Sequence, residues 1–265
     1  MDGRLGLGVV GLGEGISLIR ASGARVLVGQ SSRFFPSMTR QRRDVEAGLP
    51  GSVRSVEAHY NGDKRGGTSG RWGKAGGNDW VFTGLSHPVD LVYWYLGPVE
   101  TVFASGVTSS ASHGRGGPTD AMHAVLTNQS GAVGRVSGSY GTPHSHPDAD
   151  PMIGCTVRGE RATLSARYPD FRYLTRVDGH GSVAYDDSGQ HARYFPFGGA
   201  AHHVGEFANY LEAMGEALLT GAEPRPNLED GLQVVATLLS IRQSIDTGAV
   251  IRVPDVLQRA GVSLG

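Results

Sequence analysis

Three groups of residues in this 265-residue chain combine side chains or backbone able to do chemistry with a usable spacing. Near the N-terminus, Gly11-Leu12-Gly13-Glu14-Gly15 follows a short apolar run and precedes ISLIRA. A glycine turn opening a helix can cradle a phosphate with its backbone N–H groups. Gly11 and Gly13 are therefore the candidate cofactor contacts. In WVFTGLSHPVDLVYWYLG, Thr83 and His87 stand four apart, which places both on one face of a predicted helix, with Asp90 and Trp94 close to the same stripe. An imidazole, with an ordinary pKa of about 6.5, can act as general base toward a hydroxyl. A threonine can orient a ligand or the ring but cannot supply charge to an imidazolium. The other reading of His87 is a packing residue near the Ser86–Pro88 segment. The third group is TPHSHPDADP, where His144, His146, Asp148 and Asp150 could suit zinc or manganese. The same residues also describe a solvated loop, so no metal is assigned; His144 and His146 are secondary candidates for substrate contact.

These groups sit in a chain of ordinary charge. The formal net charge is −1, with no basic or acidic block, so nothing points to nucleic acid or an anionic membrane. The single cysteine, Cys155, allows no internal disulfide and fits a reducing compartment, and a cytoplasmic location is expected. The glycine-broken apolar patch at the N-terminus is too short for a signal segment or a membrane span. Lys64 and Lys74 are the only lysines, so any chemistry needing an ammonium has two candidates.

The elements that must position these residues follow from periodicity. Residues 5–10 and 25–29 read as short strands around a brief helix at 16–21, a single βαβ unit. PSMTRQRRDVEAGLPGS predicts a helix, and SVRSVEAHY a strand with Val56, Ala58 and Tyr60 on one face and Glu57 and His59 on the other. WVFTGLSHPVDLVYWYLG predicts a helix ending at Gly97-Pro98, and VETVFASGV a strand. Three hairpins turn at NQSG, RGE and DGHG. VGEFANYLEAMGEALLTG carries an apolar stripe of Phe207, Tyr210, Leu211, Met214 and Leu218; a second helix stops at Gly248, and VIRV forms a last strand. Consecutive hairpins followed by a helical pair predict an α+β fold: an open, mainly antiparallel sheet with helices on one face, preceded by the vestigial βαβ remnant.

In this order, four segments resemble the Gfo/Idh/MocA oxidoreductases (glucose–fructose oxidoreductase, inositol dehydrogenase, rhizopine catabolism): VGQSSRFFPSM, EAGLPGSVRSVEA, FTGLSHPVDLVYWYLGPVETVFA and EPRPNLEDGLQVVATLLSIRQSIDTGAVIRV. The resemblance covers about residues 24–253, with the glycine turn as a separate match. It implies an NAD- or NADP-binding Rossmann domain followed by an open-sheet domain that binds a sugar, cyclitol or related polyol and forms a homo-oligomer through its open face. It also implies that His87 and Thr83 are the catalytic positions, and that Lys74, in RWGKAGGND, and Asp90 lie near substrate.

Three departures bear on that chemistry. No acidic residue lies between Glu14 and Asp44 to hold the ribose hydroxyls, leaving Arg33 as the candidate contact to a 2′-phosphate. The family's Glu-Lys-Pro segment is absent, and Thr83 stands where the family often has aspartate. The expected organisation is thus a truncated nucleotide-binding remnant over residues 1–35 and a substrate-binding and oligomerisation domain over 36–265. The expected function is that of a polyol oxidoreductase by descent, with independent cofactor binding not expected. Non-redox chemistry with His87 as base, or a scaffold role beside a longer paralogue, are the alternatives.

Overall fold

The computed structural model describes residues 15–63, 79–108, 119–143, 150–187 and 206–262. Helix α1 spans Gly15–Ser22. It leads through an extended segment to a 3-10 turn, Ser31–Phe34, and then to α2, Pro36–Glu46, which starts on the fixed backbone of its proline. Strand β1 is Val53–Asn61. Two helices follow, α3 (Trp80–Thr83) and α4 (Ser86–Leu96). The remaining strands of the hairpin region are β2 (Val99–Val107), β3 (Ala121–Asn128), β4 (Val133–Ser139), β5 (Ile153–Gly159), β6 (Ala162–Tyr168), β7 (Arg172–Val177) and β8 (Gly181–Asp186). Helices α5 (Glu206–Thr220) and α6 (Leu228–Thr247), the short strand β9 (Ile251–Arg252) and α7 (Val253–Arg259) complete the described chain.

The strands form one nine-stranded sheet in the order β8-β7-β6-β5-β1-β4-β3-β2-β9. The fold is the α+β open sheet that the hairpins predict. Every pairing is antiparallel except β1 with β4. That parallel pair matters for the site, because it brings two strand ends out on the same edge: Tyr60 lies opposite Gly138 and Asn61 opposite Ser139, just before Tyr140. The alternation of β1 is the predicted one, with Val56 and Ala58 buried under α4 and Glu57 on the open face. Helix α2 covers β6 and β7, α4 covers β1, β4 and β5, and α6 covers β2. Between them lie Val102, Met122, Leu126, Val136, Val157 and Leu164. The opposite face has no helix among the described residues and exposes Phe103, Val125 and Val133.

Helix α6 shows why its limits were readable. The Asn227 side chain accepts from the Asp230 N–H at 3.1 Å, and the Asp230 carboxylate accepts from the Asn227 N–H at 3.0 Å, so two end donors are satisfied reciprocally. At the other end Gly248 adopts φ 68°, the left-handed conformation that glycine takes without steric cost. Replacing Asn227 with alanine is expected to cost about 1 kcal/mol of folding stability, read from the midpoint of urea denaturation.

Four expectations change. Residues 25–29 are extended but pair with no strand among the described residues; the Val28 N–H instead bonds to the Pro226 carbonyl at 2.8 Å. A strand exists only with a neighbour, and here the neighbour is a loop, so the described part of the expected βαβ unit is one helix and an extended segment. The predicted helix over WVFTGLSHPVDLVYWYLG is two helices, broken at Gly84-Leu85. The apolar stripe of α5 is turned outward at Phe207, Leu211 and Leu218, while Glu206 and Ala217 are buried. Helix α7 was not expected; Pro254 in its first turn starts it. No helix of the described residues is long and apolar enough to cross a membrane.

Candidate functional site

The site is built where the 3-10 turn meets the start of α4. Two consecutive turn residues grip that helix one turn apart. Ser32 Oγ lies 2.6 Å from His87 Nδ1, and the Arg33 guanidinium makes two bonds to Asp90, Nε to Oδ2 at 2.8 Å and Nη2 to Oδ1 at 2.7 Å. Positions 87 and 90 are three apart and share a face of α4, so one turn reads both. The His87 ring is half-buried and meets the Tyr60 ring edge-on, at 5.6 Å between centroids. Tyr60 meets Tyr140 in the same way at 5.6 Å, and Tyr140 stacks on Trp80 at 4.7 Å. An imidazole thus stands beside a wall of aromatic rings at the edge where β1 and β4 end together.

The glycine at the break between α3 and α4 has a steric reason. A Cβ on Gly84 would lie 2.1 Å from the Tyr140 hydroxyl oxygen, and one on Gly138 would lie 2.7 Å from it. The phenol occupies the space that a side chain at either position would need. The Tyr140 hydroxyl is fully buried and has no hydrogen-bond partner among the described residues, and burial pushes its pKa well above the usual tyrosine value. Burial also raises Tyr60, with a smaller contribution from Tyr168.

The predicted residues separate in this geometry. His87 lies at the centre. Thr83 does not share a helical face with it, because the chain turns at Gly84; Thr83 is exposed, and its hydroxyl donates to the Asp79 carbonyl of its own helix at 3.2 Å. Asp90 and Arg33 are placed by the fold as partners of each other. Asp90 is 0% and Arg33 6% exposed, and Arg33 also lies 3.9 Å from Asp230 and over the rings of Trp94 and Tyr93. This corrects the expectation of Arg33 at a 2′-phosphate and of Asp90 at a substrate, since neither presents surface to a ligand. Burial lifts the Asp90 carboxyl above its ordinary pKa, and the Arg33 charge and hydrogen bonds oppose that lift. Gly11, Gly13, Lys74, His144 and His146 lie outside the described residues.

Sequence reasoning missed Ser32, Tyr60, Trp80 and Tyr140 as site residues. Ser32 adjoins Arg33 in the quoted SSRFFP segment, which is the one signal that could have raised it. The aromatic residues are distant in sequence, and only the pairing of β1 with β4 brings them together. Among the described residues no group of three or more His, Cys, Asp or Glu is arranged to hold a metal.

An open, mostly antiparallel sheet with helices on one face is a different fold from the doubly wound parallel sheet that binds nucleotides. Residues 38–165 match the family model of the GFO/IDH/MocA C-terminal domain. Solved structures of the same fold include an oxidoreductase from Agrobacterium radiobacter in complex with NAD+, L-tartaric acid and magnesium. It is 18% identical, with a TM-score of 0.74 over 91% of this chain and 69% of that one. An aldose-aldose oxidoreductase from Caulobacter crescentus complexed with glycerol is 18% identical, with a TM-score of 0.67 over 89% and 66% of the two chains. A levoglucosan dehydrogenase in complex with NADH and levoglucosan is 17% identical, with a TM-score of 0.65 over 86% and 66%. The chain spans about two thirds of the length of these structures. No sequence among curated proteins matches it.

Proposed function

We propose that the chain binds a sugar, cyclitol or related polyol beside His87, and that it is an oxidoreductase by descent whose NAD(P)-dependent hydride transfer is weakened or lost. The observation that carries the reading is the half-buried His87 ring, held at Nδ1 by Ser32 and flanked by Tyr60. The contact with Ser32 orients the ring, and an imidazole can exchange a hydrogen bond or a proton with a ligand oxygen. Aromatic rings beside it can pack against the C–H faces of a carbohydrate. The family-model match and the ligands named for the solved structures support the same substrate class.

The described residues do not fit a nicotinamide dinucleotide. Between Gly15 and Phe35 they hold one eight-residue helix, an extended segment paired to a loop and a 3-10 turn, with no parallel sheet to carry an adenosine. Arg33 is committed to Asp90. With this reading we propose a homo-oligomer, in which a second copy covers Phe103, Val125 and Val133 on the open face, and a cytoplasmic protein whose single Cys155 is buried.

The test is calorimetric titration of the protein with a panel of polyols and aldoses, beside fluorescence titration with NADH and NADPH. Polyol binding should fall about tenfold in His87→Ala, the loss of one ligand hydrogen bond at the upper end of its usual range. Micromolar binding of NADH or NADPH would overturn the impaired-cofactor part. Absence of any polyol binding, together with tight association with a longer homologue, would replace the whole reading by a scaffold role.

A further inference from the structure

A cleft of about 320 Å3 lies at the end of α4 remote from His87, where β2 begins and α7 packs beside it. Its walls are apolar: Pro98 and Val99 at the start of β2, Leu257 on α7, and Val262 beyond that helix. Gln233 lines it from α6. Gln233 is 8% exposed, and its Oε1 is buried with no hydrogen-bond partner among the described residues. A buried acceptor without a donor lowers stability, and native structures leave few of them. The charged residue of the described lining, Glu100, is already engaged. Arg252 donates to it at 2.7 Å and 3.3 Å, and these bonds, with one from Gln129, hold its carboxyl below the ordinary pKa.

We infer that this cleft is a second binding site, which takes a small uncharged molecule with a compact apolar body and one O–H or N–H donor, and that Gln233 Oε1 is its acceptor. The volume stands at the lower end of small-molecule sites, which are mostly apolar with a few placed polar groups. The terminal torsion of a glutamine is broad and roughly two-fold, so the amide can turn its oxygen toward an arriving donor. A hydrogen bond made there also relieves the buried acceptor, which ties binding to the protein's own stability. An ionic ligand finds no free counter-charge in the described lining and would lose hydration against apolar walls. A polyol fits no better, because most of its hydroxyls would face proline, valine and leucine without partners. The cleft and the His87 site therefore suit different molecules, and this inference does not rest on the proposed function.

The experiment is methyl proton–carbon correlation NMR on the full chain, titrated with cyclohexanol and, separately, with cyclohexanone, which has the same apolar body but cannot donate. Cyclohexanol should shift the methyl signals of Val99, Leu257 and Val262 with a millimolar Kd, the range expected for so small a molecule. Cyclohexanone should bind about tenfold more weakly, the loss of one hydrogen bond to a buried acceptor. Gln233→Leu should abolish that difference, and its urea midpoint should match or exceed that of the wild type, since it removes a buried acceptor without a donor. Equal binding of the two probes, a preference that survives in Gln233→Leu, or no shift of these methyl groups would overturn the inference. So would a marked loss of stability in Gln233→Leu, which would show that the amide is satisfied within the protein. Should that variant fail to fold, Val262→Phe, which fills the cleft from its rim, must abolish cyclohexanol binding, and retained binding would overturn the site.

Discussion

Arg33→Ala is expected to remove about 3–5 kcal/mol of folding stability, the usual cost of stripping one partner from a buried ion pair. The pair is a severe case. Both side chains are almost wholly enclosed, both guanidinium bonds to Asp90 are short, and a second carboxylate, Asp230, lies 3.9 Å from Arg33. Without the guanidinium, two carboxylates remain in a region closed by Tyr93 and Trp94, and Asp230 retains Tyr93 and Arg225 as partners while Asp90 loses its principal one. Burial already raises the Asp90 carboxyl, and the charge of Arg33 is what opposes the rise. In the variant the carboxyl should therefore rise further and bind a proton more tightly in the folded than in the unfolded state. A raised carboxyl favours folding once it is protonated, so the deficit should shrink as the pH falls through its folded pKa. Urea denaturation in mildly alkaline and mildly acidic buffer checks both sign and size. An Arg33→Met, Asp90→Leu double variant should recover much of the loss, because apolar residues of similar volume leave no stranded charge. A deficit below about 1 kcal/mol, or one that grows toward acid, would show that the pair contributes no more than a surface ion pair.

The second large effect is expected at Gly84. Its backbone is ordinary, with φ −86°, so an alanine there meets no conformational strain and the cost is purely steric. The added carbon would stand 2.1 Å from the Tyr140 oxygen and 2.2 Å from its Cζ. The ring cannot simply yield, because it is 1% exposed, stacked on Trp80 and closely approached by Gly138. Overpacking of this kind costs about 1–3 kcal/mol and sometimes more. Gly84→Ala should therefore lower the thermal midpoint, and because Tyr140 carries Tyr60 and Trp80 with it, should also change the near-ultraviolet circular dichroism of the aromatic wall. Tyr140→Phe gives the opposite expectation. The hydroxyl is buried without a partner, so removing it should be neutral or stabilising. If Gly84→Ala were silent and Tyr140→Phe costly, the packing account of Gly84 would be wrong.

These two predictions mark how far the sequence could be read. The hairpins were legible because their turns are chemically specified and their strands alternate. The limits of α6 were legible because Asn227, Asp230 and Gly248 act within a few residues of themselves. His87 was legible by resemblance and by its ionisable ring. Its supposed partner on the same helical face was not, because periodicity assumes an unbroken helix, and this one breaks at Gly84-Leu85. The outward stripe of α5 failed for a related reason: an apolar periodicity shows that a helix has two faces, not which neighbour either face will meet. At residues 25–29 strand propensity was present, but the described chain supplies no strand beside it.

By itself, then, the order of residues determined the α+β class, the hairpin turns and the limits of α6, which depend largely on contacts between near neighbours in the chain. Tertiary structure alone decided that Ser32 and Arg33 grip α4 at His87 and Asp90, and that the two candidate charges cancel each other in the interior. It also decided that the histidine stands against Tyr60 beside Tyr140 and Trp80. Those outcomes depend on the parallel pairing of β1 with β4 and on the docking of one turn against one helix. Both are contacts between residues far apart in sequence, and their energies come from burial and close packing that no local pattern encodes.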